Sequence, residues 1–161
     1  RGRAFVPGCG KGHDAVQLAR HGYAVDAIDL VDLCGEHFAE ELAAHGGSFH
    51  VDNVLTMDPA AVGGPWDLGY EHTIFCAIDP SQRADFGAAM ARCIKPGGHL
   101  ISFLFPTDKP LDAGGPPHRA TPADLAAALG DAFELIDETP SDAGKLERNW
   151  GECRVVFRRL P

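Results

Sequence analysis

The chain has 161 residues, 45% of them apolar, with 14 Lys and Arg against 23 Asp and Glu, a formal net charge of −9. That length supports one domain with its own core, without disulfide or metal staples. The acidic balance argues against a partner gripped by its phosphate backbone, and the longest apolar run, residues 100–105, is far below the ~20 residues that cross a bilayer. Neither nucleic acid nor membrane is expected as a partner. The five cysteines, Cys9, Cys34, Cys76, Cys93 and Cys153, are odd in number and include no Cys-x-x-Cys pair. Reduced thiols in a cytoplasmic protein, with no metal site, are the expectation.

From residue 4 to residue 105, short apolar runs alternate with amphipathic stretches, the pattern of βαβ units and a parallel sheet. The first predicted strand covers residues 3–7, followed by the cluster Gly8, Gly10 and Gly12 and a helix over 13–21 that Gly22 stops. A second strand over 23–28 is closed by Asp29. Helix two is predicted over 33–44, strand three over 48–52 and strand four over 66–71. Asp79 and Pro80 open a helix reaching Cys93, and residues 95–98 form a turn that launches the apolar strand 99–105, hydrophobic enough to be covered on both faces. Thr121, Pro122 and Asp124 supply an N-cap, a first-position proline and an acidic third position, so a helix follows through Leu129. Residues 133–137 and 154–157 read as closing strands, with Arg148, Arg154, Arg158 and Arg159 along a solvated strand edge.

The strongest chemical signal is strand, glycine loop and helix, with a carboxylate, Asp29, at the end of the next strand and Leu30 beside it. Glycines there let a ligand approach the backbone at the carboxyl edge of the sheet, and the acid can accept from both ribose hydroxyls. A nucleoside site is the first reading. The third glycine comes one residue too early for the dinucleotide pattern G-x-G-x-x-G, and Lys11, Gly12 and His13 do not match a P-loop, so nicotinamide binding ranks second. A tight turn without any ligand is the bland alternative. Asp52, Asn53 and Val54 end strand three, where an amide or carboxylate oxygen can accept from an adenine amino group while Val54 packs on the ring; an ordinary turn is again the alternative. Glu71 and His72 end strand four and point toward the same crevice in a parallel sheet.

Four segments in order, V-P-G-C-G-K-G-H-D at 6–14, Glu71 with A-I-D-P at 77–80, K-P-G-G at 95–98 and G-G-P-P at 114–117, together resemble the thiopurine methyltransferase family, closest to its halide and thiol methyltransferase branch. The resemblance covers nearly the whole chain. It implies a class I S-adenosylmethionine (SAM)-dependent methyltransferase fold, Rossmann-like α/β, with a mostly parallel seven-stranded sheet, an antiparallel last strand and helices on both faces. It also implies SAM as cofactor and S-adenosylhomocysteine (SAH) as product. Gly8, Cys9 and Gly10 would pass the methionine portion, Asp29 and Leu30 the ribose, Asn53 and Val54 the adenine, with Glu71 and His72 near the cofactor. Family members often carry Asp where Asn53 stands, Tyr or Arg at His72, Asp at Glu71, and Tyr or Phe at His118. They also carry an upstream segment with tryptophans that covers the cofactor, so residues 1–161 are expected to be a single domain lacking that cover.

The implied reaction is in-line methyl transfer to a small soft nucleophile, a thiol, hydrosulfide or halide. Such an acceptor already has its lone pair and needs positioning and desolvation more than a base. Glu71 could balance the sulfonium charge, Phe75 could offer it a ring face, and His72 or His118 could take the proton of a neutral thiol. Thiopurine-like heterocycles and oxyanions of selenium or tellurium are the alternative acceptors. A SAM- or SAH-binding module without turnover and an NAD-dependent enzyme are the alternative classes. The expected partner is a small-molecule acceptor, and the expected state a monomer.

Overall fold

Among the described residues, the alternation of apolar runs and amphipathic stretches builds the strands of one sheet and the helices that connect them. In this computed structural model, which describes residues 2–141 and 148–161, they are β1 (Arg3–Pro7), α1 (His13–Arg20), β2 (Ala24–Asp29), α2 (Phe38–Ala44), β3 (Ser48–Val51), β4 (Trp66–His72), α3 (Arg83–Cys93), β5 (Ile94–Leu104), α4 (Pro122–Leu129), β6 (Phe133–Ser141) and β7 (Glu152–Arg159). The strands form one sheet in the order β3-β2-β1-β4-β5-β7-β6. The first five run parallel, and β7 inserts antiparallel between β5 and β6. This is the α/β class I methyltransferase fold. The chain winds outward from β1 to β3 and then returns to β4 on the other side of β1. Strand order therefore reverses between β1 and β4, and the carboxyl ends of these strands open the crevice where such sheets bind ligands.

Strand alternation divides the core between the two sheet faces. On β1, Ala4 and Val6 face α1 and α2 with Ala15, Ala19, Phe38 and Leu42, whereas Phe5 faces the opposite cluster of Trp66, Phe75, Phe86, Leu125 and Phe157. Phe5 and Trp66 stack with ring centroids 4.6 Å apart, which aromatic pairs value at about 0.5–1.5 kcal/mol beyond their buried area. Beneath them the buried Asp26 carboxylate accepts from Arg3, the Trp66 indole and the Ser48 hydroxyl at 2.5–2.6 Å, so its charge is fully engaged. The predicted cap of α4 is a complete capping box, Thr121 and Asp124 each accepting from the other's backbone N–H.

Three boundaries differ from the sequence expectations. Helix α2 begins at Phe38 rather than residue 33, because Asp32 Oδ1 accepts from Cys34 N at 3.2 Å in a local turn and Gly35 adopts φ +82°. Strand β5 already pairs at Ile94 with Trp66 and then at His99 with Leu68, so the 95–98 turn is a loop-out within a strand, anchored by Lys95 on Asp67 at 2.7 Å. Finally, β7 is not an edge. Arg154 and Arg158 instead reach across to Asp137 and Glu134 of β6, each at 2.6 Å, while Arg148 turns toward Phe105.

Candidate functional site

Past β1 the chain turns through Gly8 and Gly10 into α1. Gly10 takes φ +54° with open space where a Cβ would point, so the backbone conformation alone calls for glycine there. Its amide donates to Asp29 Oδ2 at 2.8 Å, and the Val31 amide donates to Oδ1 at 3.2 Å. Each carboxylate oxygen is thus oriented by one backbone donor and keeps a lone pair for a diol. Cys9 N donates to Ile28 O at 3.2 Å and Asp52 N to Asp29 O at 2.9 Å, which ties the ends of β1, β2 and β3 into one rim. Asn53 heads a tight turn in which its side-chain oxygen accepts from Leu55 N at 3.0 Å, leaving Val54 buried below.

These elements enclose a cavity of about 430 Å³ at the strand-order reversal, within the roughly 300–1,000 Å³ of small-molecule sites. It brings together Gly8, Asp29, Leu30, Asp52, Asn53, Val54 and His72 of the residues singled out in the sequence. It adds Thr73, Ile74, Ile78, Asp79 and Gln82. The acceptor set suits a nucleoside: a fixed carboxylate for a diol, an amide oxygen and a carboxylate for an amino group, and Val54, Ile74 and Ile78 for a flat ring. His72 meets Asp14 of α1 through Nδ1 at 3.1 Å, and this hydrogen bond raises the His72 pKa above 6.5 while holding that of Asp14 below 3.8.

Five other candidate residues lie outside the lining. Glu71 is fully buried, accepting from Phe75 N at 2.9 Å and from the Ser102 hydroxyl, and burial pushes its pKa up. It holds the turn after β4 rather than facing a ligand. Cys9 sits behind the glycine loop and Gly10 acts through Asp29. His118 is anchored by its backbone N–H on Cys76 O at 2.7 Å, on the loop carrying the 114–117 motif. The Phe75 ring is buried and its face is covered by the Arg83 guanidinium at 4.7 Å, so it is not available to a ligand cation.

A second cavity of about 350 Å³ adjoins the first, and Thr73 and Ala77 line both. Its other walls are Cys76, Phe105, Pro116, Pro117 and Arg148. Arg148 lies 3.7 Å over the Phe105 ring and pairs with Glu152 at 2.6 Å, while its buried Nε makes no hydrogen bond among the described residues. Behind this wall the nearly buried Lys109 ammonium donates to Pro117 O at 2.7 Å and stands 5.1 Å from Trp150, which packs on Phe105. Thr73, at the junction, has φ +68°, an outlier for a β-branched residue. Sequence reasoning did not find Thr73, Phe105 or Arg148 as site residues. Phe105 and Arg148 meet only because β5 pairs with β7, and no local pattern announces a left-handed threonine.

The profile of the thiopurine S-methyltransferase (TPMT) family matches residues 1–158. The chain belongs to this family. Among similar curated proteins, a probable thiol methyltransferase 2 of Arabidopsis thaliana is 33% identical over 144 residues, covering 84% of this chain and 62% of the relative. Thiocyanate methyltransferase 1 of the same plant is 32% identical over 147 residues, covering 86% and 62%. A thiopurine S-methyltransferase of Shewanella sp. (strain ANA-3) is 27% identical over 149 residues, covering 83% and 67%. The chain therefore spans about 62% of the length of the plant relatives. The fold is also that of N-methyltransferase NodS from Bradyrhizobium japonicum WM9, solved in complex with S-adenosyl-L-homocysteine, with a TM-score of 0.79 at 17% identity, over 99% of this chain and 78% of NodS.

Proposed function

We propose that residues 1–161 form one methyltransferase domain that binds SAM in the first cavity and methylates a small soft nucleophile held in the second. The observation that carries this reading is the junction at Thr73 and Ala77 between a carboxylate-rich cavity and one whose charged lining, among the described residues, is Arg148. Asp29 would take the ribose diol, Asn53 and Asp52 the adenine amino group, and Val54 and Ile78 the ring. When bound, SAM supplies a methyl group on a sulfonium, activated for displacement by a lone pair. The chain's own work is then placement and exclusion of water.

Arg148 attracts an anionic acceptor, and Phe105, Pro116 and Pro117 strip water from it, which suits a thiolate, hydrosulfide, thiocyanate or halide. The relatives named for thiol and thiocyanate methylation support the same class. His72, whose charged form Asp14 favours, borders the cofactor, and His118 on the acceptor-side loop would receive a proton from a neutral thiol. We read the protein as cytoplasmic and monomeric, with a small-molecule acceptor as its partner. Its five free thiols support the location, and no helix among the described residues is long and apolar enough to cross a membrane.

Calorimetric titration with SAH tests the cofactor site, and micromolar binding is expected. Incubation with SAM and hydrosulfide, thiocyanate or iodide, followed by gas chromatography of the headspace, tests turnover. Methanethiol, methyl thiocyanate or iodomethane supports the proposal. Binding of SAH with none of these products would refute the acceptor class and leave a binding module.

A further inference from the structure

Two cysteines that the reaction does not use meet behind the glycine loop. Cys9 lies between β1 and α1, Cys34 between β2 and α2, and their sulfurs are 3.9 Å apart. The Cys34 thiol donates to Gly10 O at 3.0 Å, and the same Gly10 donates through its amide to Asp29 Oδ2 at 2.8 Å. The thiol pair is thus two hydrogen bonds from the carboxylate that would hold the ribose. Cys76, Cys93 and Cys153 are at most 4% exposed, whereas Cys9 and Cys34 are only half-buried. Cys34 also forms part of the wall of an open depression of about 490 Å³ between α1 and α2, wide enough to admit a small oxidant.

We propose that Cys9 and Cys34 are an oxidisable dithiol whose closure to a disulfide weakens cofactor binding. With hydrogen peroxide as oxidant, the Cys34 thiolate attacks one oxygen, the O–O bond breaks, and a sulfenic acid forms with release of hydroxide, which takes up the thiol proton as water. Cys9 sulfur then attacks Cys34 sulfur and displaces a second water. Two thiols are oxidised by two electrons and one peroxide is reduced to two waters. Burial raises both thiol pKa values, so the pair rests as thiols and reacts slowly, through the small thiolate fraction.

Closure has a structural cost at the cofactor loop. A disulfide needs its sulfurs about 2.05 Å apart, so they must approach by about 2 Å from their present separation. Cys34 also loses the hydrogen it donates to Gly10 O. The Asp32 turn holds Cys34 N at 3.2 Å from Asp32 Oδ1 on one side, so the strain of closure falls on Gly10 and, through its amide, on Asp29.

The effect on binding rests on the proposed SAM site, and two readouts separate the claims. The protein is treated with peroxide and assayed by intact mass, by peptide mapping without reductant and by SAH calorimetry, before and after dithiothreitol. The expected results are a loss of two hydrogens, a cross-link involving the Cys9 peptide, and SAH affinity weakened by about tenfold and restored by reductant. The variant Cys34→Ser keeps a donor for Gly10 O and should bind SAH as the reduced protein does, with no response to peroxide; this also excludes Cys76 as the partner. SAH binding without a Cys9–Cys34 cross-link overturns the inference. A cross-link that leaves affinity unchanged overturns its regulatory half. Failure of SAH to bind the reduced protein overturns the site itself, while mapping still reports on the dithiol.

Discussion

The two cavities that meet at Thr73 are built by different means and carry opposite charge. The first draws its walls from the carboxyl ends of consecutive parallel strands, and Asp29, Asp52 and Asp79 give it an anionic lining that suits a sulfonium. The second is walled by the start of the loop after β5, the 114–117 turn and the approach to β7, and among the described residues its charged lining is the cation Arg148. A net charge of −9 disfavours small anions on average, so a guanidinium at an apolar wall can decide where an anion settles. On the proposed reading, an electrophilic methyl on one side and a nucleophile on the other would thereby be sorted by charge before any chemistry occurs.

The largest expected effect belongs to the first cavity. Asp29→Ala removes a diol acceptor and also leaves the Gly10 and Val31 amides unpaired, so SAH binding should weaken by about 1–3 kcal/mol. Calorimetry reads this directly, and an unchanged dissociation constant would show that Asp29 does not hold the ligand. The second cavity should respond in the other parameter. Arg148→Met keeps a stem of similar length over Phe105 but removes the charge, and KM for hydrosulfide or thiocyanate should rise by about tenfold with SAH affinity intact. If KM holds steady, the anion is not bound by Arg148, and the contrast in charge between the cavities has no catalytic meaning.

The two cavities also differ in how far their residues could be read in advance. Gly8, Asp29 and Asn53 announce themselves, because a βα turn, a strand end and a tight turn are local events whose residue preferences show in a few neighbouring positions. Phe105 and Arg148 do not. They are distant in sequence and meet only through the antiparallel pairing of β5 with β7, where Leu104 stands opposite Cys153. That same pairing turned an expected strand edge into an interior strand. Glu71 shows a further limit: its position at the end of β4 was legible, but not that its carboxylate would turn inward to Ser102 and Phe75 N. Period-two alternation puts Glu71 on the face of its register partner Ser102, but the pattern alone does not say that a carboxylate there is buried and bonded rather than open to a ligand.

Thr73 offers a smaller test at the boundary itself. A non-glycine residue in the left-handed region costs about 1–3 kcal/mol, and glycine's greater freedom in the unfolded chain offsets about 0.5–1 kcal/mol of the relief. Thr73→Gly should therefore stabilise the protein by about 1 kcal/mol in urea denaturation, while its effect on turnover shows whether the strained conformation serves the junction. A loss of stability would mean that the Thr73 hydroxyl, which donates to His72 O at 2.6 Å, outweighs the strain.

The smallest effect expected is the pH dependence of the His72–Asp14 pair. His72 has its folded pKa raised above 6.5 by the Asp14 hydrogen bond, so its contribution is fully present below that value and is lost as pH rises through the folded pKa. Asp14 has its folded pKa lowered below 3.8, so its share is present above that value and is lost as pH falls through the folded pKa. The pair should therefore stabilise most between about pH 4 and 6.5, and by only a few tenths of a kcal/mol, since the two side chains are 37% and 42% exposed. Asp14→Asn should lower the His72 pKa in an NMR titration and reduce stability at pH 5.5 but not at pH 9. SAH added at saturation sharpens the comparison: His72 lines the first cavity, so a bound sulfur-containing nucleoside should shift its titration, whereas an acceptor anion alone should leave it nearly unmoved. Equal responses to both ligands would mean that the two cavities do not divide the substrates as their charges suggest.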